Sequence, residues 1–276
     1  LQMFPPDPND VIHVEDGSWT GADLGDQEFK KWNGDPYLNG QVDHEKGYSP
    51  DRNSWAVITA AKNRVLTAEK LAPASEDVKQ AWHEFLVGTT SCYWYWDGTF
   101  EWDLKPTIAS NNAVAYTDKV ISENSADTVC PTIYIPQREP YNPGGSETKK
   151  PVPQSKRPWT WDSPWQARYQ VSREEPKEQS SDFTVWTLVY DVSGLTSVKL
   201  KYRQSETPDV MKANLVYDSA PWSELPMTGK VIPGVSPKIK AKYKAEQYSA
   251  KVEGFEEALL DYYVEAIDGQ GNVARS

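Results

Sequence analysis

Histidine and cysteine are scarce, with three of the first and two of the second in 276 residues. Cys92 and Cys130 lie far apart and have no CxxC partner or His at ligand spacing, so their pattern does not point to a structural zinc site. A disulfide in an exported protein and two reduced, buried thiols both remain open for this pair. His13 sits between apolar residues in a strand-like run, His44 in an Asp/Glu-rich loop and His83 on the polar side of a helix. None has the spacing of a metal ligand or of a catalytic triad. Ser18 is followed by Gly three residues on, at Gly21, so it lacks the Gly-x-Ser-x-Gly spacing of a nucleophile elbow. No apolar run approaches the ~18 residues of a membrane span, and no apolar segment with a basic front marks a signal peptide.

Basic charge is also in short supply. The formal net charge is −11, and residues 1–135 hold 21 Asp/Glu against 10 Lys/Arg, whereas residues 136–276 are balanced. An acidic surface repels phosphate backbones, so nucleic acid is excluded as a principal partner. Phenylalanine is sparse too, at 6, beside 12 Trp and 15 Tyr. This balance favours aromatic faces with a polar edge, as suits proteins that handle sugars, although large aromatics also fill β-sandwich cores. A pyranose stacks its C–H face on an indole while Asp, Glu and Asn bond its hydroxyl rim.

At roughly 100–200 residues per domain, the length implies two domains. Residues 1–52 are dense in Asp, Gly, Pro and Asn and read as irregular loops. Asn53 or Ser54 can cap a helix to about Leu71, and Ser75 caps a second one ending at Gly88, with Val78, Ala81, Trp82, Phe85 and Leu86 forming its apolar stripe. The block from Ser91 to Trp102 suits either a hairpin or a helix tail followed by a loop. Pro106 is placed to open a third helix. Residues 136–182 are rich in Pro, Gly, Ser, Lys and Glu and read as a connection. Strand alternation follows in 183–190, 197–202, 214–217, 239–246 and 260–268, with a turn at Gly269-Gln270-Gly271-Asn272. The expected fold class is α+β with two domains: a mainly α-helical N-terminal part with long irregular loops over 1–135, and a C-terminal antiparallel β-sandwich, immunoglobulin-like, over 183–276.

Val11 to Trp19, the helix pair beginning at Trp55, and Ala81-Trp82 leading into Ser91-Cys92-Tyr93-Trp94-Tyr95-Trp96-Asp97-Gly98 carry a family likeness. Together they resemble the C-terminal helical region of glycoside hydrolase family 57, amylopullulanase-like enzymes with a Gly-Ser-Trp segment and an aromatic block. The resemblance spans about residues 8–122, and Cys92 stands where that block carries Asp. The last 90 or so residues separately resemble the immunoglobulin- or fibronectin-like domain that often follows a carbohydrase. The resemblance implies α-glucan chemistry performed in a preceding barrel by a Glu nucleophile and an Asp acid/base. Neither barrel repeats nor a His-Gln-Pro segment occur here, so no catalytic residue is carried over.

The candidate substrate-binding residues are Glu15, Asp16, Trp19, Tyr93, Trp94, Trp96, Asp97 and Trp102. A carboxylate can bind two adjacent hydroxyls while an indole packs on the sugar ring. Glu15 and Asp16 are equally suited to solvating a surface loop. Four consecutive aromatics at 93–96 cannot share one face, so some of them must be core. Trp159, Trp161 and Trp165 either wedge two domains together or form a binding face. No cofactor is expected, except that Asp7, Asp10, Asp23, Asp26, Asp35, Asp43 and Asp51 crowd loops that could hold Ca²⁺.

These readings converge on the C-terminal accessory portion of a polysaccharide-degrading glycoside hydrolase. Its expected partners are a polysaccharide or oligosaccharide and an upstream catalytic barrel of the same polypeptide, without nucleic acid or a membrane span. The expected location is secreted or cell-surface, extracellular or periplasmic. The alternatives are a stand-alone carbohydrate-binding protein and a structural surface module. The chain opens at Leu1 without an initiator Met and is expected to be a piece of a longer polypeptide.

Overall fold

The computed structural model describes residues 37–38, 41–42, 50–95, 100–122, 125–140, 143, 146–147, 177–178, 180–205, 221–234, 236–255 and 259–276. Before the first helix, β1 (Tyr37–Leu38) and β2 (Gln41–Val42) form a two-residue antiparallel ladder.

Helix α1 (Pro50–Leu71) begins three residues before the expected cap, with Pro50 at its start and Asp51 in its first turn. Both choices suit a helix N-terminus, because Pro lacks the N–H that would be left unpaired there and an acid complements the helix dipole. Asn53 and Ser54 are accordingly buried inside the helix. Helix α2 (Glu76–Gly88) starts after Ser75, the expected cap position, although the Ser75 side chain makes no cap hydrogen bond, and it buries Val78, Ala81 and Phe85. Leu86, placed on the apolar stripe by its spacing, is 61% exposed. The short α3 (Cys92–Tyr95) and the long α4 (Phe100–Val120) complete the helical layer. Pro106 therefore lies inside α4 rather than opening it. Val57, Ile58, Ala61 and Val65 of α1 meet Ala81 and Phe85 of α2, Trp94 of α3, and Ala113 and Val114 of α4 in one core. Gly88 permits the close approach, since a Cβ there would stand 3.2 Å from both Ala109 Cβ and Ile58 Cδ1.

Two antiparallel sheets follow. The first contains β3 (Thr132–Ile133), β4 (Gln137–Glu139), β7 (Phe183–Tyr190), β10 (Thr228–Lys230) and β11 (Glu246–Val252) in the order β10-β11-β7-β3, with β4 also on β7. The second has β8 (Leu195–Ser205), β9 (Ser223–Pro226), β12 (Leu259–Asp268) and β13 (Val273–Arg275) in the order β13-β12-β8-β9. A separate ladder pairs β5 (Ser146–Glu147) with β6 (Lys177–Glu178).

The period of two in a strand decides how these sheets pack. On β8 and β12, Val198, Leu200, Val264 and Ala266 face inward, while Lys199, Lys201, Asp261 and Glu265 alternate with them. Phe183, Val185 and Val189 of β7 join that inter-sheet core, so the two sheets pack face to face. The intervening Trp186 and Leu188 pack instead with Ala56 of α1, Ile232 and Ala245. Strand β7 is thus buried on both faces, and the molecule has three layers: helices, first sheet and second sheet.

The fold is α+β with antiparallel sheets, as expected. It differs in its joints. β3 lies within the stretch assigned to the helical part and β4 within the expected connection, yet both pair with β7. No strand forms over 239–245. Cys92 and Cys130 are free and both exposed, neither bridged nor buried. Residues 214–217 and the Trp159, Trp161 and Trp165 set lie outside the described residues. No helix among the described residues is long and apolar enough to cross a membrane.

Candidate functional site

Three aspartates from three separate segments of the chain meet in one buried cluster. Asp127 comes from the segment between α4 and β3, Asp191 from the corner after β7, and Asp268 from the last position of β12. Each offers a carboxylate oxygen, and these atoms lie within 4.8 Å of one another. All three residues are buried, at 7%, 5% and 1% exposure.

Local turns hold the group in place. Asp268 Oδ1 accepts the backbone N–H groups of Gln270 and Asn272, each at 2.8 Å, and its Oδ2 accepts Asn272 Nδ2 at 2.7 Å. Asp191 Oδ1 accepts Ser193 N at 2.8 Å and Ser193 Oγ at 2.7 Å, and its Oδ2 accepts Asn63 Nδ2 at 3.2 Å. Asn63, fully buried on α1, also accepts Val192 N at 3.0 Å and donates to Cys130 O at 3.2 Å. Asp127 Oδ1 accepts Val129 N at 3.0 Å, whereas its buried Oδ2 has no hydrogen-bond partner. The turns after β7 and β12 touch directly: a Cβ at Gly269 would fall 2.4 Å from Ser193 O, so only glycine fits there.

Gathering these carboxylates is electrostatically costly. Two unit charges 4 Å apart repel by about 4 kcal/mol at an effective dielectric of 20. Burial pushes the Asp191 carboxyl up to about 6, and neighbouring Asp127 adds to the rise against the Ser193 hydrogen bonds. Such a group can hold a metal ion, because a cation relieves the repulsion without requiring protonation.

A polar cleft of about 520 Å³ adjoins the cluster, lined among others by Asp127, Ser193, Arg64, Asp118, Lys242 and Tyr243. Arg64 Nη2 donates to Asp118 Oδ1 at 2.5 Å, and the guanidinium lies 3.8 Å from the centre of the Tyr243 ring. Lys242 pairs with the other Asp118 oxygen, and Tyr243 Oη donates to Oδ1 at 3.2 Å. Arg64 Nη1 also reaches Tyr190 Oη at 3.4 Å, a phenol whose pKa burial raises.

The residues expected from the sequence to bind substrate are not gathered here. Glu15, Asp16, Trp19, Trp96 and Asp97 lie outside the described residues. Tyr93 and Trp94 sit on α3 and Trp102 on α4. Tyr93 is half-buried, and Trp94 is 2% exposed in the helical core with its ring centre 4.5 Å from that of Trp55. Trp55 continues to Tyr134 at 5.2 Å, and Tyr134 to Trp186 at 6.3 Å, so Trp94 starts an aromatic chain from helices to sheet. Trp94 is therefore taken up by packing. Of the seven aspartates considered for calcium, Asp51 alone lies among the described residues, buried in the first turn of α1. The cluster that does form was missed, although Asp191 and Asp268 continue the inward parity of Val185/Val189 and Val264/Ala266, where a charge is out of place.

Comparison with known proteins places the chain at a distance from the amylolytic glycoside hydrolases. It is similar to an alpha-amylase of Niallia circulans, at 22% identity over 381 residues, a match that covers 100% of this chain. The chain spans 28% of that protein's length. No family model matches the chain, and no solved structure matches it.

Proposed function

We infer that the chain is an accessory portion of an α-glucan-active glycoside hydrolase, supporting a catalytic barrel of the same polypeptide and contributing to carbohydrate binding. The observation that carries this reading is the similarity along the whole chain to little more than a quarter of an alpha-amylase. All strand pairings among the described residues are antiparallel, an arrangement foreign to a barrel of βα repeats, and this supports an accessory role. The two-sheet unit is read as an immunoglobulin-like domain, and the whole as secreted or displayed at the cell surface, where polymeric glucan is met.

For sugar contact the proposal keeps Glu15, Asp16, Trp19, Tyr93, Trp96, Asp97 and Trp102, with Trp94 assigned to packing. Trp222 joins them, the one exposed tryptophan among those whose side chains are described, at 40%. It stands beside Tyr263 and Arg203, and Arg203 pairs with Asp261 at 2.9 Å, which sets an aromatic face next to polar groups. Two or three stacked rings supply roughly −4 to −6 kcal/mol, equivalent to binding between about 1 mM and tens of micromolar. Native electrophoresis through gels containing amylopectin or pullulan tests the reading, with dextran as the control. The expected result is retardation in the two α-1,4-linked glucans, reduced by Trp222→Ala, with no release of reducing sugar. Migration equal to that in dextran removes the carbohydrate-binding part, and intact-mass measurement of the native product tests for the preceding barrel.

A further inference from the structure

We propose that Asp127, Asp191 and Asp268 form a structural calcium site that fastens the helical layer and both sheets together at one end of the molecule. This inference stands apart from the carbohydrate reading and survives its failure. The donor set is made of oxygen alone, without His or Cys, which suits a hard cation and not zinc or copper. Oxygens bound to one Ca²⁺ at 2.3–2.6 Å stand at most about 5 Å apart, and the three carboxylate oxygens fall within 4.8 Å.

A second observation comes from Asp127. Its Oδ2 is buried and has no hydrogen-bond partner, whereas the oxygens of Asp191 and Asp268 accept bonds from their own turns or from Asn63. A buried carboxylate oxygen left unpaired beside two further carboxylates is costly unless a cation, or a proton shared with a neighbouring carboxyl, balances it. The turns around the cluster are fastened by bonds of their own, from Gly269 N to Gly194 O at 3.1 Å and from Asn272 Nδ2 to Asp127 O at 3.3 Å.

The topology gives the ion its role. Asp127 is tied to the chain leaving α4, Asp191 to the first sheet and Asp268 to the second, so one cation bridges the three segments beside the ladder ends Thr132–Tyr190 and Leu195–Asp268. Mg²⁺ demands shorter bonds and retains water, so it fits this all-protein group less well.

The test uses the whole chain, stripped with EGTA and titrated with CaCl₂ by calorimetry and thermal unfolding. The expected result is one site with a Kd of roughly 1–100 μM. At a hundredfold excess over Kd the thermal midpoint should rise by about 5–10 °C. Asp127→Asn should abolish both responses, yet in EGTA it should melt no lower than the unaltered chain, since Oδ1 still accepts Val129 N and one repelling charge is gone. A purely structural role for Asp127 would instead lower the midpoint equally with and without calcium. No heat and no midpoint shift at 5 mM CaCl₂ overturns the proposal, as does unaltered affinity in Asp127→Asn, which would place bound calcium elsewhere. An equal response to MgCl₂ overturns the choice of ion. Should Asp127→Asn fail to fold even with calcium, Asp191→Asn is read by the loss of the calcium response alone, since its amide would meet Asn63 Nδ2, itself a donor; an unaltered calcium response there overturns the proposal.

Discussion

Trp94 shows how burial decides between two uses of an aromatic side chain. Its indole is 2% exposed and packs at 4.5 Å against Trp55 in the middle of the helical core. Truncation there removes a large buried ring and leaves a cavity that α1, α2 and α4 cannot close without losing their own contacts. Trp94→Ala should therefore lower unfolding stability by about 3–5 kcal/mol, and Trp94→Phe, which retains a ring, by clearly less. Urea unfolding of both variants checks the ordering; equal stability with the unaltered chain would mean the side chain is not core. From the sequence, four adjacent aromatics required some to be buried, but a helix of only four residues offers too little period to say which. The aspartate cluster was less legible still. Its members are far apart in the chain, and only the inward parity at the ends of β7 and β12 hints at them, a hint that a strand-end turn explains equally well.

At the scale of elements, strand β7 was legible to the residue because seven β-branched or aromatic residues and Leu188 run unbroken between polar turns. The 239–246 alternation was equally regular and yet forms no ladder before Glu246. Its backbone is paired otherwise: Asn111 Nδ2 donates to Lys240 O at 2.9 Å, Asn111 Oδ1 accepts Lys242 N at 2.8 Å, and Ala245 N donates to Ala56 O at 3.0 Å. The pattern of one apolar face was read correctly, but the surface it meets is the helical layer and not a neighbouring strand. Asp118 anchors this segment by accepting bonds from Lys242, Tyr243 and Arg64. Arg64 is 7% exposed at its side chain, so removing its counter-charge leaves a buried cation. Asp118→Asn should cost about 2–3 kcal/mol, less than a fully buried pair because Asp118 is itself 21% exposed. A double-mutant cycle with Arg64→Met measures the coupling, and additive losses would show that the two groups act separately.

On the scale of the whole molecule, the helices and sheets are one packed object. The helical core and the core between α1 and the first sheet share Trp55, while β7 carries the sheet core on its opposite face. Composition could not disclose this, because the acidic front half and the balanced rear half read as separate units, and β3 and β4 are too short to be seen as strands. The Pro-, Ser- and Lys-rich sequence of residues 148–176 is nevertheless of the kind proteases attack. Cleavage there would leave a front fragment holding α1 to α4, β3 and β4, and a rear fragment holding β7 to β13. Limited proteolysis should therefore nick the chain into two pieces that migrate together in native gel filtration and separate only in denaturant. The nicked protein should also unfold in a single transition, since α1 loses the partners of Ala56 when β7 leaves and β7 loses the cover of Trp186 and Leu188 when α1 leaves. Fragments that separate without denaturant, or two resolved melting transitions, would show instead that the helical layer is stable apart from the sheets.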